Sequence, residues 1–265
     1  MNQKEFLNNY NFKFKKKFGQ NFIIDENILS NIIKYAEIDK STLVLEIGPG
    51  AGALTNKLTK IAKKVVAYEI DESLKPILDT IDADIIYGDF LKRNLKEDLI
   101  KYEYDKLYVV ANIPYYITTP ILKHIIDSNI SVDKIVIMVQ KEVGDRLSSK
   151  PCSRDYNSLS IFVSYYFDVK KLFVVSKNVF IPKPNVDSVV IELSKKNIKY
   201  NVKDENLFFK LVRDSFSQKR KTLKNNLKNY DFEKIKPILL KNGFNEDVRA
   251  ENLPIEIFIE ISNNL

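Results

Sequence analysis

Short apolar runs alternate with amphipathic stretches up to about residue 193, and then the pattern changes. Thr42–Ile47, Lys64–Asp71, Asp84–Phe90, Lys106–Ala111, Lys134–Val139 and Asp187–Leu193 are rich in Val, Ile, Leu and Tyr, which predicts buried strands. Between the strands the apolar spacing turns helical. Asp25 is placed to N-cap a helix from Glu26 to about Glu37, with Ile28, Leu29, Ile32, Ile33 and Ala36 on one face. Another helix starts near Ala53; residues 140–147 read as helix or turn, 148–157 as a polar loop, and 158–175 as a helix leading into a strand. Alternation of this kind predicts an α/β fold, its sheet largely parallel with helices on both faces. Past Ser194, residues 195–205 are polar, and 207–216, 219–227, 232–242 and 254–262 carry helical patterns. A boundary near Lys196 therefore separates an α/β domain with a basic N-terminal arm, 1–195, from a small C-terminal helical domain, 196–265.

Three strand ends carry chemistry-bearing residues. Thr42–Ile47 runs into Gly48-Pro49-Gly50-Ala51-Gly52 and then a helix, the front half of a nucleoside- or dinucleotide-binding unit. Glycines there let a ligand approach the backbone closely. The third glycine comes two positions after the second, unlike the dehydrogenase fingerprint, and Glu46 stands just before the loop. That acid disfavours a pyrophosphate and suits a cationic ligand or an amine. Glu69 ends the next strand at a distance where an acid accepts from both ribose hydroxyls. Asp89 ends the third, where its carboxylate either accepts from an adenine amino group, with Phe90 beside the ring, or caps a turn. Asn112-Ile113-Pro114-Tyr115-Tyr116 follows the strand at Lys106–Ala111; Pro114 forces a turn at the sheet edge where α/β proteins bind ligands. Further on, Phe180-Ile181-Pro182-Lys183-Pro184 is an extended loop in which Phe180 either stacks on a base or plugs the core.

Composition narrows the chemistry. Cys152 and His124 are the only residues of their kinds, which excludes an intramolecular disulfide and leaves metal clusters and Ser-His-Asp catalysis as poor prospects. No apolar run is long enough to span a bilayer, and Met1–Lys17 lacks the apolar core of a secretory signal, so a cytoplasmic location is expected. The net charge of +7 permits a nucleic-acid partner. Only six of the 42 basic residues are Arg, so a general lysine bias explains much of that total and clustering is the better signal. Two clusters stand out. Lys4, Lys13, Lys15, Lys16 and Lys17 interleave with Phe12, Phe14 and Phe18 in an arm that either touches phosphates or is simply solvated. Segment 213–228 sets Arg213, Lys219, Arg220, Lys221, Lys224 and Lys228 against Asp214 alone.

A nucleoside cofactor with neither metal nor histidine base suits methyl transfer from a sulfonium to an amine, which mainly requires alignment of the nucleophile. The Asn112 side-chain oxygen and the carbonyl of Ile113 or Pro114 can accept both hydrogens of an exocyclic adenine amine and favour a tetrahedral nitrogen. Tyr115 can stack on the base, with Phe180 on its other face. Asn112–Tyr115, Glu46–Gly52, Gly19-Gln20-Asn21-Phe22, Phe180–Ser188 and Phe216–Leu223 together resemble the KsgA family of small-subunit rRNA adenine N6,N6-dimethyltransferases, in the family's order from about Lys16 to Leu227. Where that family often has Asn-Leu-Pro-Tyr-Asn, this chain has Ile113 and Tyr116. The resemblance implies a Rossmann-like class I S-adenosylmethionine-dependent methyltransferase sheet, with the cofactor held by Asn21, Ile23, Gly48, Glu69, Asp89 and Asn112. It implies dimethylation of two adjacent adenosines in a hairpin loop near the 3′ end of 16S rRNA, on a late pre-30S particle. A monomer without metal and without membrane contact is expected. Erm-type methyltransferases of 23S rRNA share the fold and much of the Asn-x-Pro-Tyr motif; Phe216–Leu223 and the proline loop favour the small-subunit family. A non-catalytic RNA-binding protein on the same fold would be marked by loss of the glycine loop or of Asn112, and both are intact.

Overall fold

The structure, a computed structural model, describes Phe14, Lys15, Phe18–Asn197 and Tyr200–Leu265. Most of the basic arm, with Lys4, Phe12, Lys13, Lys16 and Lys17, lies outside the described residues. The chain divides into two compact units, Met1–Gly144 with Lys170–Lys195, and Asp145–Val169 with Lys196–Leu265.

The chain forms strands β1 (Phe22–Ile23), β2 (Thr42–Ile47), β3 (Lys64–Glu69), β4 (Asp84–Tyr87), β5 (Lys106–Asn112), β6 (Lys134–Gln140), β7 (Phe167–Val175), β8 (Phe180–Ile181) and β9 (Ser188–Lys195), all in the first unit except the first three residues of β7. Seven of them form one sheet in the order β4-β3-β2-β5-β6-β9-β7. The β4-β3-β2-β5-β6 part is parallel throughout, and β9 enters antiparallel to β6. The order reverses between β2 and β5, so the carboxyl ends of β2 and β5 flank a crevice. Every residue of β2 is buried, as a central strand covered on both faces requires. The remaining strands pair antiparallel as a two-stranded ribbon, Phe22 opposite Ile181 and Ile23 opposite Phe180.

Helix α1 (Glu26–Ala36) begins where the pattern expects: Asp25 accepts hydrogen bonds from the Asn27 and Ile28 amides, and Leu29, Ile32 and Ala36 are buried. It ends at Glu37 in the left-handed conformation, φ 53°. Helices α2 (Thr55–Ile61), α3 (Lys75–Leu78), α4 (Leu95–Leu99) and α5 (Thr118–Asp127) connect successive parallel strands, and α6 (Lys141–Leu147) follows β6. The core of this unit joins Ile23, Leu29, Ile32, Leu58, Val110, Met138, Phe180 and Val190 among others.

The second unit holds α7 (Ser158–Tyr166), α8 (Glu205–Ser215), α9 (Leu223–Asn226), α10 (Phe232–Lys241) and α11 (Ile255–Asn264) around Ile161, Phe208, Leu211, Leu239 and Phe258. Sequence composition assigns residues 145–169 to the first domain. They pack with the second unit instead, because Tyr156 and Ile161 are buried in its core. The expected helix over 219–227 is also shorter. Thr222 caps the four-residue α9, and the preceding residues turn, with the Lys221 amide on the Gln218 carbonyl at 3.0 Å. Lys219, Arg220 and Lys221 therefore stand on an exposed turn rather than along a helix.

Candidate active site

The carboxyl ends of β2, β3, β4 and β5 open into one cavity, and the segment Phe18–Ile23 forms its opposite wall. Asn21, Ile23, Gly48, Glu69, Asp89, Asn112, Pro114 and Tyr115, all singled out from sequence, line it.

The glycines divide their work. All three loop glycines have positive φ, 72° at Gly48, 56° at Gly50 and 76° at Gly52. A Cβ on Gly50 would lie 2.5 Å from the Phe22 ring, and one on Gly52 would lie 2.2 Å from Ile81 Cδ1. Those two are small because protein fills the space. A Cβ on Gly48 would meet no protein atom within 4 Å. It borders open cavity, the cradle that a closely approaching ligand needs.

Glu69 and Asp89 are partly engaged by backbone. Glu69 Oε2 accepts from the Gly50 amide at 3.0 Å and Oε1 from the Asp71 amide at 2.8 Å, which ties the glycine loop to the acid. Each oxygen retains a lone pair for a ribose hydroxyl. Burial raises the pKa of Glu69. Asp89 Oδ1 caps the turn Phe90–Lys92 through the Leu91 amide at 3.1 Å, so both roles considered for it are compatible: one oxygen caps and the other is left for a ligand. Phe90 is held edge-on by Tyr68 and by His124, with centroids 5.1 and 5.2 Å away. His124 is thus an aromatic support of the cavity wall.

Asn112 ends β5, and its Nδ2 donates to the Asn21 carbonyl at 2.9 Å. A carbonyl can only accept, so this bond fixes the amide with Oδ1 as its remaining acceptor. Pro114 then starts a tight turn, Tyr115–Ile117, and its carbonyl accepts from the Ile117 amide at 3.2 Å. The Tyr115 hydroxyl and Ser188 Oγ are 2.7 Å apart, which fixes the ring's orientation. Burial raises the Tyr115 pKa, so the phenol stays neutral.

Two expectations change. Phe180 is 3% exposed and packs in the core beside Ile23, so it is the core plug of its two readings and does not line the cavity. Glu46 lines the cavity but is 1% exposed, and its Oε2 has no hydrogen-bond partner among the described residues. Burial, with the charge of Glu69 adding to it, pushes its carboxyl up to about 8. At neutral pH it is therefore a largely protonated group and not the fixed counter-charge its place before the loop suggests.

Sequence reasoning missed Asp71 and the structural roles of Phe22, named there only within a motif, and of Lys15. Phe22 supports Gly50, and Lys15, read as part of an RNA-contacting or solvated arm, forms an ion pair with Asp71 at 2.5 Å. The one signal in the sequence was Asp71 itself, an acid two residues beyond Glu69 in a position that turns out buried.

The strand order, the glycine cradle and the acids closing β3 and β4 define a class I S-adenosylmethionine-dependent methyltransferase. The fold is shared with a dimethyladenosine transferase from Plasmodium falciparum, at a TM-score of 0.77 and 28% identity over 91% of this chain and 95% of that one. The 23S rRNA methyltransferase ErmE matches with a TM-score of 0.70 and 21% identity over 92% and 99%, a likeness of fold. The family model for ribosomal RNA adenine dimethylase matches residues 11–265, and the chain belongs to that family. Relatives called ribosomal RNA small subunit methyltransferase A include those of Macrococcus caseolyticus, 45% identical over 99% of this chain and 93% of the relative, and Bacillus pumilus, 47% identical over 99% and 94%. Among the described residues no helix is long and apolar enough to cross a membrane, and no group of three or more His, Cys, Asp or Glu is placed to hold a metal ion.

Proposed function

We propose that this chain dimethylates N6 of two adjacent adenosines in the 3′-terminal hairpin loop of 16S rRNA, on a late pre-30S particle, acting as a cytoplasmic monomer with a role in small-subunit assembly. The family fixes the reaction as dimethylation of ribosomal RNA adenines. The small-subunit target is supported by the relatives at 45–47% identity. The single observation that carries the chemistry is the Asn112 amide, held by the Asn21 carbonyl so that Oδ1 is left to accept.

S-adenosylmethionine, when bound, supplies a methyl that is already electrophilic on its sulfonium. The residues present fit it. Gly48 gives close backbone approach, Glu69 has lone pairs for the ribose, the free oxygen of Asp89 suits the adenine amine, and Asn21 and Ile23 wall the same cavity. The target adenine's amine is a poor nucleophile because its lone pair is delocalised into the ring. Asn112 Oδ1 accepts one N–H. The Ile113 carbonyl is the better second acceptor, because Pro114's is already engaged by Ile117. Two acceptors draw the amine toward a tetrahedral geometry and stabilise the positive charge that develops on it. Each transfer breaks the methyl–sulfur bond, leaving the neutral thioether, and the alkylated nitrogen releases one proton to solvent; after the first methylation the amine keeps one hydrogen for this pair, so the second transfer uses the same site. Tyr115 offers a fixed aromatic face to the base.

The test is methyl transfer from labelled S-adenosylmethionine to unmethylated 30S particles and, separately, to protein-free 23S rRNA, with mass spectrometry of the digested nucleosides. Dimethyladenosine in the 30S sample alone is expected. Its appearance in 23S rRNA would move the chain to the Erm-type activity.

A further inference from the structure

Asp71 is a buried carboxylate, 1% exposed, and both its oxygens are engaged. Lys15 Nζ lies 2.5 Å from Oδ1, which also accepts from the Ser73 amide and hydroxyl at 3.1 and 2.6 Å. Gln20 Nε2 donates to Oδ2 at 2.7 Å. The Lys15 amide donates to Gln20 Oε1 at 2.7 Å, closing a ring of Lys15, Gln20 and Asp71. Burial alone would raise the Asp71 pKa; the bonds from Lys15, Ser73 and Gln20 more than offset it and leave it lowered. A buried carboxylate is tolerated only where its partners stay in place. Here the partners come from the segment that supplies the cavity wall. The next residue, Asn21, gives the carbonyl that orients Asn112. From the other side, the Asp71 amide donates to Glu69, which holds the Gly50 amide.

We propose that Asp71 is a positioning residue for the acceptor amide: through Lys15 and Gln20 it anchors the wall at Phe18–Asn21 so that the Asn21 carbonyl keeps Asn112 facing the target amine with its oxygen. Without that carbonyl, the terminal amide of Asn112 could turn by half a revolution and present a donor where an acceptor is needed. The anchor thus sets how much of the enzyme carries a competent Asn112. It also gives Lys15 a role other than contact with RNA. The inference rests on the role of Asn112 proposed above, and its readouts are chosen to fail separately from it.

The experiment uses the full chain labelled with 15N-asparagine. The Asn112 side-chain signal is assigned by its loss in Asn112→Ala. Lys15→Ala removes a half-exposed side chain and should leave folding intact, and Asp71→Asn keeps the shape of the carboxylate. Both should shift or split the Asn112 signal and lower kcat about five- to tenfold, the population effect of losing one orienting hydrogen bond. Lys15→Arg should restore both. RNA affinity and its salt dependence should stay unchanged. An unmoved Asn112 signal in both variants would overturn the proposal. So would a Lys15→Ala protein with full kcat and a salt slope lower by about one, because that is the signature of a phosphate contact. Should Asn112→Ala itself retain near-normal turnover, the catalytic reading fails while the Asn112 signal still reports on the anchor.

Discussion

Replacing Glu46 by Gln should stabilise the protein by an amount that grows as pH rises. The carboxyl is buried beneath the glycine loop, its Oε2 is unpartnered among the described residues, and its pKa is pushed from 4.5 up to about 8. Between those two values the folded state holds a proton that the unfolded chain has released, so stability falls as pH rises. At pH 5 the unfolded carboxyl is mostly ionised, which costs the fold about 1 kcal/mol relative to a permanently neutral group. At pH 8 the cost is roughly 4 kcal/mol, since each tenfold difference in proton affinity between the folded and unfolded chain is worth about 1.4 kcal/mol. The wild-type protein should therefore lose about 3 kcal/mol relative to Glu46→Gln between pH 5 and pH 8. Asp39, Asp84 and Asp214, whose pKa values are lowered, act below that window and are common to both proteins. Urea unfolding of both at pH 5, 6.5 and 8 gives the difference directly. Parallel pH profiles would refute the reasoning and show that Glu46 is ionised in the folded protein. A gap that narrows as pH falls supports it.

Three other expectations follow from the site and the basic turn. Asn112→Ala should keep the fold and bound cofactor but lose about 10²–10³ in kcat, the usual cost of removing one preorganised group at a developing charge; turnover near the wild-type rate would remove Asn112 from its role. Gly50→Ala and Gly48→Ala both put a side chain at positive φ, but only the first drives a Cβ to 2.5 Å from Phe22. Calorimetry and urea unfolding should show Gly50→Ala losing roughly 2–3 kcal/mol of stability, and Gly48→Ala losing mainly cofactor affinity; equal stability losses would contradict this division. Neutralising Lys219, Arg220 and Lys221 together should weaken RNA or subunit binding and flatten its salt dependence. Lys219 Nζ donates to the Arg154 carbonyl at 2.6 Å, a neutral acceptor that leaves its charge in place, so the slope should fall by about three, one for each cation removed. An unchanged slope would take this turn off the RNA-contacting surface.

What could be read from the sequence follows the range of the forces involved. β2, β3 and β5 were legible because a strand covered on both faces must be apolar throughout, and α1 because Asp25 marks its start. The cavity-lining acids were legible because each ends a strand at the ligand-binding edge of the sheet. β1 and β8 were not, since two residues carry no periodicity. Phe180 stayed ambiguous because a proline-held aromatic looks the same facing a base or a core; only Ile23 opposite it decides. Lys15 reads as one more lysine in a basic arm until the fold brings it to Asp71. The state of Glu46 likewise depends on the layers above and below it, which no local pattern contains. Residues 145–169 were placed in the first domain by composition, because membership in a core is a matter of what Ile161 touches.

The ribbon of β1 and β8 has a consequence for the order in which the enzyme comes into being. Phe22 follows directly on Asn21, and its strand partner is Ile181. During synthesis the glycine loop, Glu69, Asp89 and Asn112 all leave the ribosome well before Ile181 does. β1 has no partner strand until then, and closing so long a loop is slow. A nascent chain thus holds most of the cofactor site's residues yet lacks the docked strand beside the group that orients its acceptor. The β1–β8 pairing itself can form only after Phe180 and Ile181 have been made.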